Sequence, residues 1–287
     1  MIRLGEARIH WVQEKISVEP PELFGIDPAL LDRERARLAP DFYSPGDGRI
    51  RLSIHSWIVV VDGLTVLIDP CIGNHKDRPG RPFAHQLETP WLDRFKATGV
   101  APEQVDIVIC THLHCDHCGW NTRLSDGRWV PTFANARYLF GSTEYHRWDP
   151  AGGGDPADSG VFLDSVLPVV EAGQADIVGD HHQLSASLEI APAPGHTRGH
   201  SMVQIQSGTE KGVFAGDALH HPIEILYPHT GVRGFEDGAM GIATRLAILD
   251  HCAEQRALLM PAHFVHPHAA WVSRGRNGYD FELVRPV

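Results

Sequence analysis

The sequence of 287 residues predicts an α/β protein in which sheets and helices pack as the layers of a sandwich. Short apolar runs that are typical of strands alternate with helix-like segments along the whole chain. Four of these runs are followed within a few residues by histidine or aspartate side chains. Because strand ends at one edge of a sheet converge in space, we expect these side chains to meet in a functional site.

The N-terminal part of the chain is expected to be an elaboration that precedes the main pattern. Within residues 1–50, Pro20-Pro21 indicates a loop and the charged stretch 31–37 indicates a short helix. Residues 54–61 and 65–69 are rich in β-branched side chains and flank an Asp-Gly pair. These two runs therefore predict a β-hairpin.

Periodicity and turn-forming residues predict the later elements. The expected helices are 91–98, 142–148 with Ser142 as its N-cap, 161–170 and 244–253. The expected strands are 105–110, 138–140, 188–191, 202–205, 212–215 and 258–260. Residues 72–90 and 149–156 predict irregular loops, the second of them flexible. The sequence has no internal repeat, and we expect residues 1–287 to form a single domain.

Composition excludes several classes of partner. The formal charge is −11 and no Lys/Arg-rich run is present, so we expect no nucleic-acid partner. No stretch approaches 18 uninterrupted apolar residues, so we expect no membrane span. The first residues lack the apolar core of a signal peptide, and the five cysteines are an odd number. Both observations favour a cytoplasmic protein with reduced thiols.

The segment from Thr111 to His117 contains the strongest functional signal. It holds His112, His114, Asp116 and His117 directly after the apolar run 107–110. Neutral imidazole and carboxylate groups are good ligands for first-row metals, and Zn²⁺ usually takes four ligands. The sequence therefore predicts a metal site where this strand ends.

Three later motifs repeat the pattern of an apolar strand that ends near a metal-ligating residue. His196 lies in Pro-Gly-His-Thr-Arg-Gly-His after the strand near residue 190. Asp217 ends Phe-Ala-Gly-Asp, and His263 ends Leu-Met-Pro-Ala-His. Together with the first cluster, these residues are candidates for one shared metal centre.

This combination of motifs resembles the metallo-β-lactamase superfamily over roughly residues 50 to 270. The resemblance implies an αββα four-layer sandwich with the metals at one edge of the two sheets. It also implies two divalent metal ions, with Zn²⁺ expected first. By resemblance, the ligands of the first metal are His112, His114 and His196, those of the second are Asp116, His117 and His263, and Asp217 bridges the two.

The resemblance is greatest to the N-acyl homoserine lactonase and methyl-parathion hydrolase group. It implies a small-molecule substrate, a homodimer and attack by a metal-bridging hydroxide that Asp116 helps to orient. Asp69 resembles a carboxylate that supports the ligands from outside. The lactonases have a tyrosine three positions after the bridging aspartate, whereas this chain has His220. His220 is therefore either a catalytic hydrogen-bond donor or general acid, or a residue that contacts substrate.

The leading hypothesis is a hydrolase that cleaves a lactone or another ester-like bond in a small, partly apolar molecule. The first alternative is a hydrolase of aryl esters or organophosphate triesters with the same fold. The second is an oxidoreductase that oxidises sulfur compounds with a single iron. A binding protein that has lost catalysis is the third.

Several other residues invite structural interpretations. We expect Cys115 and Cys118 to be buried fillers, His200 to pack beside the site and His221 to be structural. His181, His182, His266 and His268 are expected in exposed loops, with His268 also a candidate neighbour of the ligands. Trp120 is expected close to the metals, and Trp11, Phe24 and Phe162 are candidate pocket walls. Gly152-Gly153-Gly154 lacks the features of a phosphate loop and suggests a flap.

Overall fold

The structure is a computed structural model that describes residues 1–153, 159–276 and 278–284. The strands are β1 (Ile2–Leu4), β2 (Ala7–Glu19), β3 (Tyr43–Ser44), β4 (Arg49–Val61), β5 (Leu64–Ile68), β6 (Ile107–Ile109), β7 (Thr122–Ser125), β8 (Arg128–Pro131), β9 (Arg137–Gly141), β10 (Ala175–Val178), β11 (His182–Gln183), β12 (Leu188–Pro192), β13 (Ser201–Ser207), β14 (Glu210–Gly216), β15 (Ala257–Pro261), β16 (Ala270–Gly275) and β17 (Gly278–Leu283). The helices are α1 (Pro28–Arg33), α2 (Arg35–Leu38), α3 (Trp91–Ala97), α4 (Cys115–Cys118), α5 (Ser142–Trp148), α6 (Ser159–Ser165), α7 (Leu167–Glu171), α8 (Ile223–Leu226) and α9 (Gly238–Gln255).

Two large mixed sheets contain most of the strands. The first has the order β1-β2-β4-β5-β6-β9-β10, with β3 paired to β4. The second has the order β11-β12-β13-β14-β15-β16-β17, and β7 and β8 form a separate hairpin. Strands β5, β6, β9 and β10 run parallel, as do β14 and β15. The strands that precede the candidate ligands therefore belong to both sheets.

The predicted hairpin is present as β4 and β5. Asp62 and Gly63 both have positive φ, 54° and 77°, which is the conformation of a type I′ turn. The inward side chains of this hairpin pack against the second sheet, where Trp57 contacts Phe214 edge to face with ring centroids 5.6 Å apart. This apolar contact belongs to the core that joins the two sheets.

Helices cover the outer face of each sheet. Trp91 and Phe95 of α3 pack in an apolar cluster with Val108 of the first sheet. Ile248 and Leu249 of α9 pack in a second cluster, against β14 and β15. The order of layers is helix, sheet, sheet, helix, so the predicted αββα sandwich is confirmed.

Helix α9 is longer than the predicted helix over residues 244–253, since it spans Gly238–Gln255. Asp237 caps it by accepting a hydrogen bond from the Met240 N–H at 2.9 Å. With 18 residues, it is the longest helix in the described part of the chain. No helix among the described residues combines the length and apolar character needed to cross a membrane.

The N-terminal region contains more sheet than the sequence predicts. The short helices α1 and α2 are present, but β1 and the long strand β2 lie in the first sheet, with β2 paired along β4. Charged and polar side chains interrupt the apolar pattern of β2, which hides it in the sequence. This strand brings Ser17 and Glu19 to the candidate site.

Two helix predictions need correction. Ser142 is the first residue of α5 and not its N-cap, because β9 continues to Gly141. The carboxylate of Asp180 accepts the free Thr143 N–H of that first turn at 3.0 Å instead. The helix expected over residues 161–170 is divided into α6 and α7 at Val166, just before Pro168, which has no N–H to donate.

A close backbone contact at Gly119 fixes α4 against the loop that follows β5. The Gly119 N–H donates to the Cys71 carbonyl at 2.7 Å, and a Cβ on Gly119 would lie 1.6 Å from the Ile72 carbonyl oxygen. Only glycine fits here without movement of the backbone.

We expect Gly119→Ala to lower the free energy of unfolding by about 3 kcal/mol or more, because it overpacks two backbone segments. Chemical denaturation measures the change. Gly46→Ala is the control, since a Cβ there meets nothing within 4 Å. Equal stabilities for the two variants would contradict this account of the contact.

Candidate functional site

The structure brings the seven predicted ligands together at one edge of the sandwich. His112 and His114 follow β6, Asp116 and His117 lie on α4, and the other three residues follow strands of the second sheet. They form a first group of His112, His114 and His196, a second group of Asp116, His117 and His263, and Asp217 between them. The four-residue helix α4 places His117 next to the first group, with its ring centroid 4.0 Å from that of His112.

In the first group, three imidazole nitrogens converge. His114 Nδ1 lies 3.0 Å from His112 Nε2 and 2.9 Å from His196 Nε2. A neutral imidazole has a single N–H and one nitrogen lone pair. The three rings therefore cannot pair all of these nitrogens by hydrogen bonds to one another, and some lone pairs face each other. Burial lowers the pKa of all three histidines, which favours the neutral form that binds metals.

The second group consists of two histidines and a carboxylate. His117 Nε2 lies 3.9 Å from Asp116 Oδ1, and His263 Nε2 lies 3.8 Å from Asp116 Oδ2. The Asp116 side chain retains 17% exposure and lines the adjoining pocket. This carboxylate is therefore the most exposed member of the second group, and His263 also lines the pocket with 7% exposure.

Asp217 faces both groups, with one oxygen toward each. Its Oδ2 lies 3.2 Å from His196 Nε2 and 3.7 Å from His112 Nε2. Its Oδ1 lies 3.0 Å from His263 Nε2 and 3.3 Å from His117 Nε2. Burial disfavours the charged carboxylate, but the imidazoles of His117 and His263 hold the pKa of Asp217 well below its usual range.

The donor set fits metal ions because several buried atoms have no other partner. His263 Nδ1 contacts the Ser53 carbonyl at 2.9 Å, and a carbonyl only accepts, so Nδ1 carries the proton. In the neutral form of His263, the lone pair of Nε2 then faces Asp217 Oδ1 at 3.0 Å. Among the described residues, His117 Nε2 and Asp217 Oδ1 are buried without a hydrogen-bond partner. A cation between these atoms removes the repulsion and satisfies them.

Asp69 supports the ligands from outside, as the resemblance implies. Its carboxylate accepts hydrogen bonds from the Thr111 N–H at 2.7 Å and the Thr111 hydroxyl at 2.8 Å. Its Oδ2 also lies 3.0 Å from His117 Nδ1. One carboxylate therefore orients the turn before His112 and the ring of His117.

His200 packs directly beneath Asp217. Its Nδ1 donates to the Ala193 carbonyl at 2.8 Å, and its Nε2 accepts the Asp217 N–H at 2.9 Å. Burial lowers the pKa of His200 to about 4, so the ring stays neutral in this role. Gly216 has a φ of +50°, and a Cβ there would lie 2.5 Å from His200 Nε2, so glycine is required. His200 therefore positions the backbone of Asp217, in line with its predicted place beside the site.

His220 lies at the junction of the two groups. Its Nε2 is 3.3 Å from Asp217 Oδ2, and its ring stacks on His263 with centroids 5.4 Å apart. Burial alone lowers the pKa of His220, but Asp217 and Glu224 raise it to about 9. Its Nε2 also lies close enough to Asp217 and His263 for these three residues to share a cation.

A buried ion pair holds the loop of His220. The Glu224 carboxylate accepts the N–H groups of His220 at 2.5 Å and His221 at 3.1 Å. Arg245 lies 3.5 Å from Glu224, and both side chains are 0% exposed. The Arg245 guanidinium also donates to several backbone carbonyls, those of Ala218, Pro228, Thr230 and Gly231.

A pocket of about 230 Å³ opens onto the two groups. Its floor is polar and its walls are mostly apolar. It is lined by Ser17, Glu19, Leu23, Phe24, Leu52, Ile54, Phe83, His114, Asp116, His196, Asp217, His220 and His263. Phe24 also contacts the His220 ring at 5.4 Å between centroids, so its prediction as a pocket wall agrees with the structure.

The other three aromatic residues predicted near the site, Trp120, Phe162 and Trp11, are not among those that line the pocket. Trp120 is buried, stacks on Trp91 and donates its indole N–H to Glu14, so the expectation that it lies at the metals is wrong. Phe162 is buried in the core on the outer face of the first sheet. Trp11 contacts His268, with ring centroids 5.1 Å apart.

The structure also settles several minor predictions. The cysteines at 115 and 118 are buried as expected. His221 is structural, because its Nε2 contacts the Phe42 carbonyl at 3.0 Å. His268 is buried and its Nδ1 contacts the Phe264 carbonyl, so its expected exposure is wrong. The suggested flap at Gly152-Gly153-Gly154 lies partly outside the described residues, because residue 154 is not described. Its first residue, Gly152, ends a short 3₁₀ helix, Pro150–Gly152.

Sequence reasoning found Asp69 but missed two other carboxylates that support the site, Glu144 and Glu224, and most of the pocket wall. Glu144 and Glu224 are isolated acidic residues in helical segments, which usually indicate an exposed helix face. The wall residues Leu52 and Ile54 are two positions apart on β4, so their side chains lie on the same face of the sheet. This alternation of apolar residues was the signal in the sequence that could have indicated them.

Comparison with known proteins places this geometry in a family. A model of the metallo-beta-lactamase superfamily matches residues 49–263. Two probable metallo-hydrolases, of Mycobacterium bovis and Mycobacterium tuberculosis, are each 27% identical to the chain over 187 residues. The match covers 60% of this chain and 58% of each relative, so the chain spans less than two thirds of their length.

Solved structures with the same fold cover the whole chain. The hydrolase AbOPH of the beta lactamase superfamily has a TM-score of 0.81 at 22% identity, with 100% of this chain and 97% of that chain covered. The dizinc quorum-quenching lactonase AidC has a TM-score of 0.77 at 19% identity, with the same coverage. A probable metal-dependent hydrolase from Staphylococcus aureus has a TM-score of 0.80 at 18% identity, with both chains covered to 100%. At these identities the likeness shows the shared fold.

We expect Arg245→Met to lower the free energy of unfolding by about 3–5 kcal/mol, because it leaves the buried Glu224 charge unpaired. Chemical denaturation measures the loss. Arg274→Met is the control, since that side chain is 54% exposed beside Asp250 and its removal should cost about 1 kcal/mol or less. Similar losses for both arginines would refute the role given to the buried pair.

Proposed function

Since the chain belongs to the metallo-beta-lactamase superfamily, we propose that it is a hydrolase that uses two divalent metal ions. The observation that carries this proposal is the position of Asp217, with one oxygen toward each ligand group. A single carboxylate between two cations offsets their repulsion at close separation. Nitrogen and carboxylate ligands suit Zn²⁺, which is the metal we expect first.

When bound, two such ions lower the pKa of water toward neutrality and stabilise negative charge on the reacting centre. The protein's own residues then orient the reactants. Asp116 reaches the pocket, and its carboxylate accepts a hydrogen bond from the attacking water. Asp69 and His200 hold the ligands in place. Asp69 accepts the Thr111 N–H and lies beside the His117 ring, and His200 accepts the Asp217 N–H.

His220 is the residue best placed to assist the leaving oxygen. It lines the pocket, and its Nε2 lies 3.3 Å from Asp217 Oδ2. In this position a protonated His220 ring can donate its proton to the alkoxide that departs from the substrate. In this role it takes the place of the tyrosine of the related lactonases.

The pocket favours a small, partly apolar substrate. Leu23, Phe24 and Phe83 offer apolar surface on the pocket walls, and the polar groups collect at the ligand end. No Lys or Arg is among the lining residues in the described part of the chain, and Glu19 is acidic. The apolar walls therefore suit an ester or lactone with an apolar arm.

A lactone is the substrate class we place first. The structural neighbour AidC is a quorum-quenching lactonase in complex with its product N-hexnoyl-L-homoserine, which has an apolar arm. Aryl esters and organophosphate triesters are neutral as well, and they are the second candidates for the same pocket. The single-iron alternative is less well supported, because it leaves the second group and its buried lone pairs without a cation.

We expect the purified protein to hold about two zinc ions per chain and to hydrolyse lactones and aryl esters. His263→Ala should lower the content to about one ion and abolish hydrolysis, because it removes a ligand of the second group only. Metal analysis and a substrate panel check both expectations. His266→Ala is the matched control, since His266 is an exposed histidine three residues away. One iron per chain together with oxygen uptake would overturn the proposal.

We expect His220→Phe to lower kcat for a lactone by about 10²-fold, because the leaving alkoxide loses its proton donor. For an ester with a nitrophenolate leaving group the loss should be small, since that group departs without a proton. His220→Tyr should restore part of the lactone activity. The zinc content of each variant is measured in parallel. Equal losses on both substrates, or loss of zinc, would show that His220 acts through the metal site instead.

A further inference from the structure

Glu144 is a buried carboxylate that the proposed chemistry does not use. It lies on α5 and is 2% exposed. Its Oε1 accepts the Leu113 N–H at 2.9 Å and the Trp148 indole N–H at 2.6 Å. Its Oε2 accepts the Thr197 hydroxyl at 2.7 Å. All three donors are internal, so the carboxylate is fully engaged in holding other parts of the protein together.

Two of these donors lie beside the ligands of the first group. Leu113 stands between His112 and His114 in the turn after β6, and Thr197 follows His196 in a loop of the second sheet. The two segments are far apart in the sequence and belong to different sheets. Glu144 is therefore a single hydrogen-bonding link between both halves of the first group.

The loop of His196 also packs tightly on α5. A Cβ on Gly199 would lie 2.2 Å from the Glu144 backbone nitrogen, so this loop approaches the helix as closely as a glycine allows. On the other side, the Trp148 ring contacts the His114 ring edge to face with centroids 5.6 Å apart. Helix α5 thus supports the first group through a carboxylate, an indole and a backbone contact.

We propose that Glu144 is a positioning residue that sets the spacing of the His112–His114 turn and the His196 loop, and thereby the metal affinity of the first group. The inference rests on the proposed metal binding. Glu144 lies outside the ligand set and acts through backbone and hydroxyl groups next to the ligands. Such supporting hydrogen bonds typically change metal affinity by about 10–100-fold when they are removed.

Glu14 provides a matched control elsewhere in the same chain. It is also 2% exposed, and it accepts a backbone N–H from Ile72, an indole N–H from Trp120 and a hydroxyl from Thr89. Its three donors have the same chemistry as those of Glu144. None of them is adjacent in sequence to a ligand of the first group, so Glu14 should stabilise the fold without affecting the zinc affinity of that group.

The experiment compares Thr197→Val, Thr197→Ser and Thr89→Val, which are milder than loss of either glutamate. Zn²⁺ is titrated into the metal-free proteins in competition with a chelator, and Tm of each metal-free protein is recorded. We expect Thr197→Val to weaken zinc binding at one site by about 10-fold or more. Thr197→Ser, which keeps the hydroxyl, should bind as the wild type does. Thr89→Val should lower Tm by an amount similar to Thr197→Val and leave zinc affinity unchanged.

Unchanged zinc affinity in Thr197→Val, or an equal loss in Thr89→Val, would overturn the inference. Glu144→Ala and Glu14→Ala extend the same comparison if both fold, with the zinc affinity of the first group lowered only in Glu144→Ala. Zinc binding that follows the expected pattern without hydrolysis of any ester would overturn the proposed function and leave this inference in place. A wild-type protein that binds no zinc would overturn both.

Discussion

Asp217 presents one carboxylate oxygen to each of two groups of buried histidines, and the rest of the site is arranged around this contact. The carboxylate is only 3% exposed, so its charge is removed from water at a cost of several kcal/mol unless cations or donors compensate it. The surrounding imidazoles are held so that they offer lone pairs as well as protons. Metal ions resolve that conflict, and we infer that the fold keeps these groups together in order to bind them.

The sandwich makes this arrangement rigid by using backbone contacts at each ligand. The Asp217 N–H is bound by His200, the His263 ring is fixed by the Ser53 carbonyl, and Asp69 holds Thr111 beside His112. Each of these partners belongs to a different part of the chain. The ligand geometry is therefore a property of the packed layers, and disruption of either sheet is expected to disturb both groups.

Much of the fold and the ligand set could be predicted from the sequence, because both depend on local patterns. The Asp62-Gly63 turn and the histidines around residue 114 carry signals within a few residues. Apart from Asp69 and His200, the supporting residues carry no such signal. Glu144 and Glu224 resemble surface residues until tertiary packing buries them, and β2 is recognisable only from its pairing with β4. Trp120 was misplaced because nearness in sequence did not show which way the turn after α4 directs its side chain.

The most direct test of the central claim is the anomalous scattering of zinc in crystals of the zinc-loaded protein. We predict two peaks, one within the first group and one within the second, with a different Asp217 oxygen bound to each. The same map shows whether His220 stays outside the coordination of both ions. A single peak among His112, His114 and His196, with the second group empty in zinc-saturated crystals, would contradict the bridging role of Asp217.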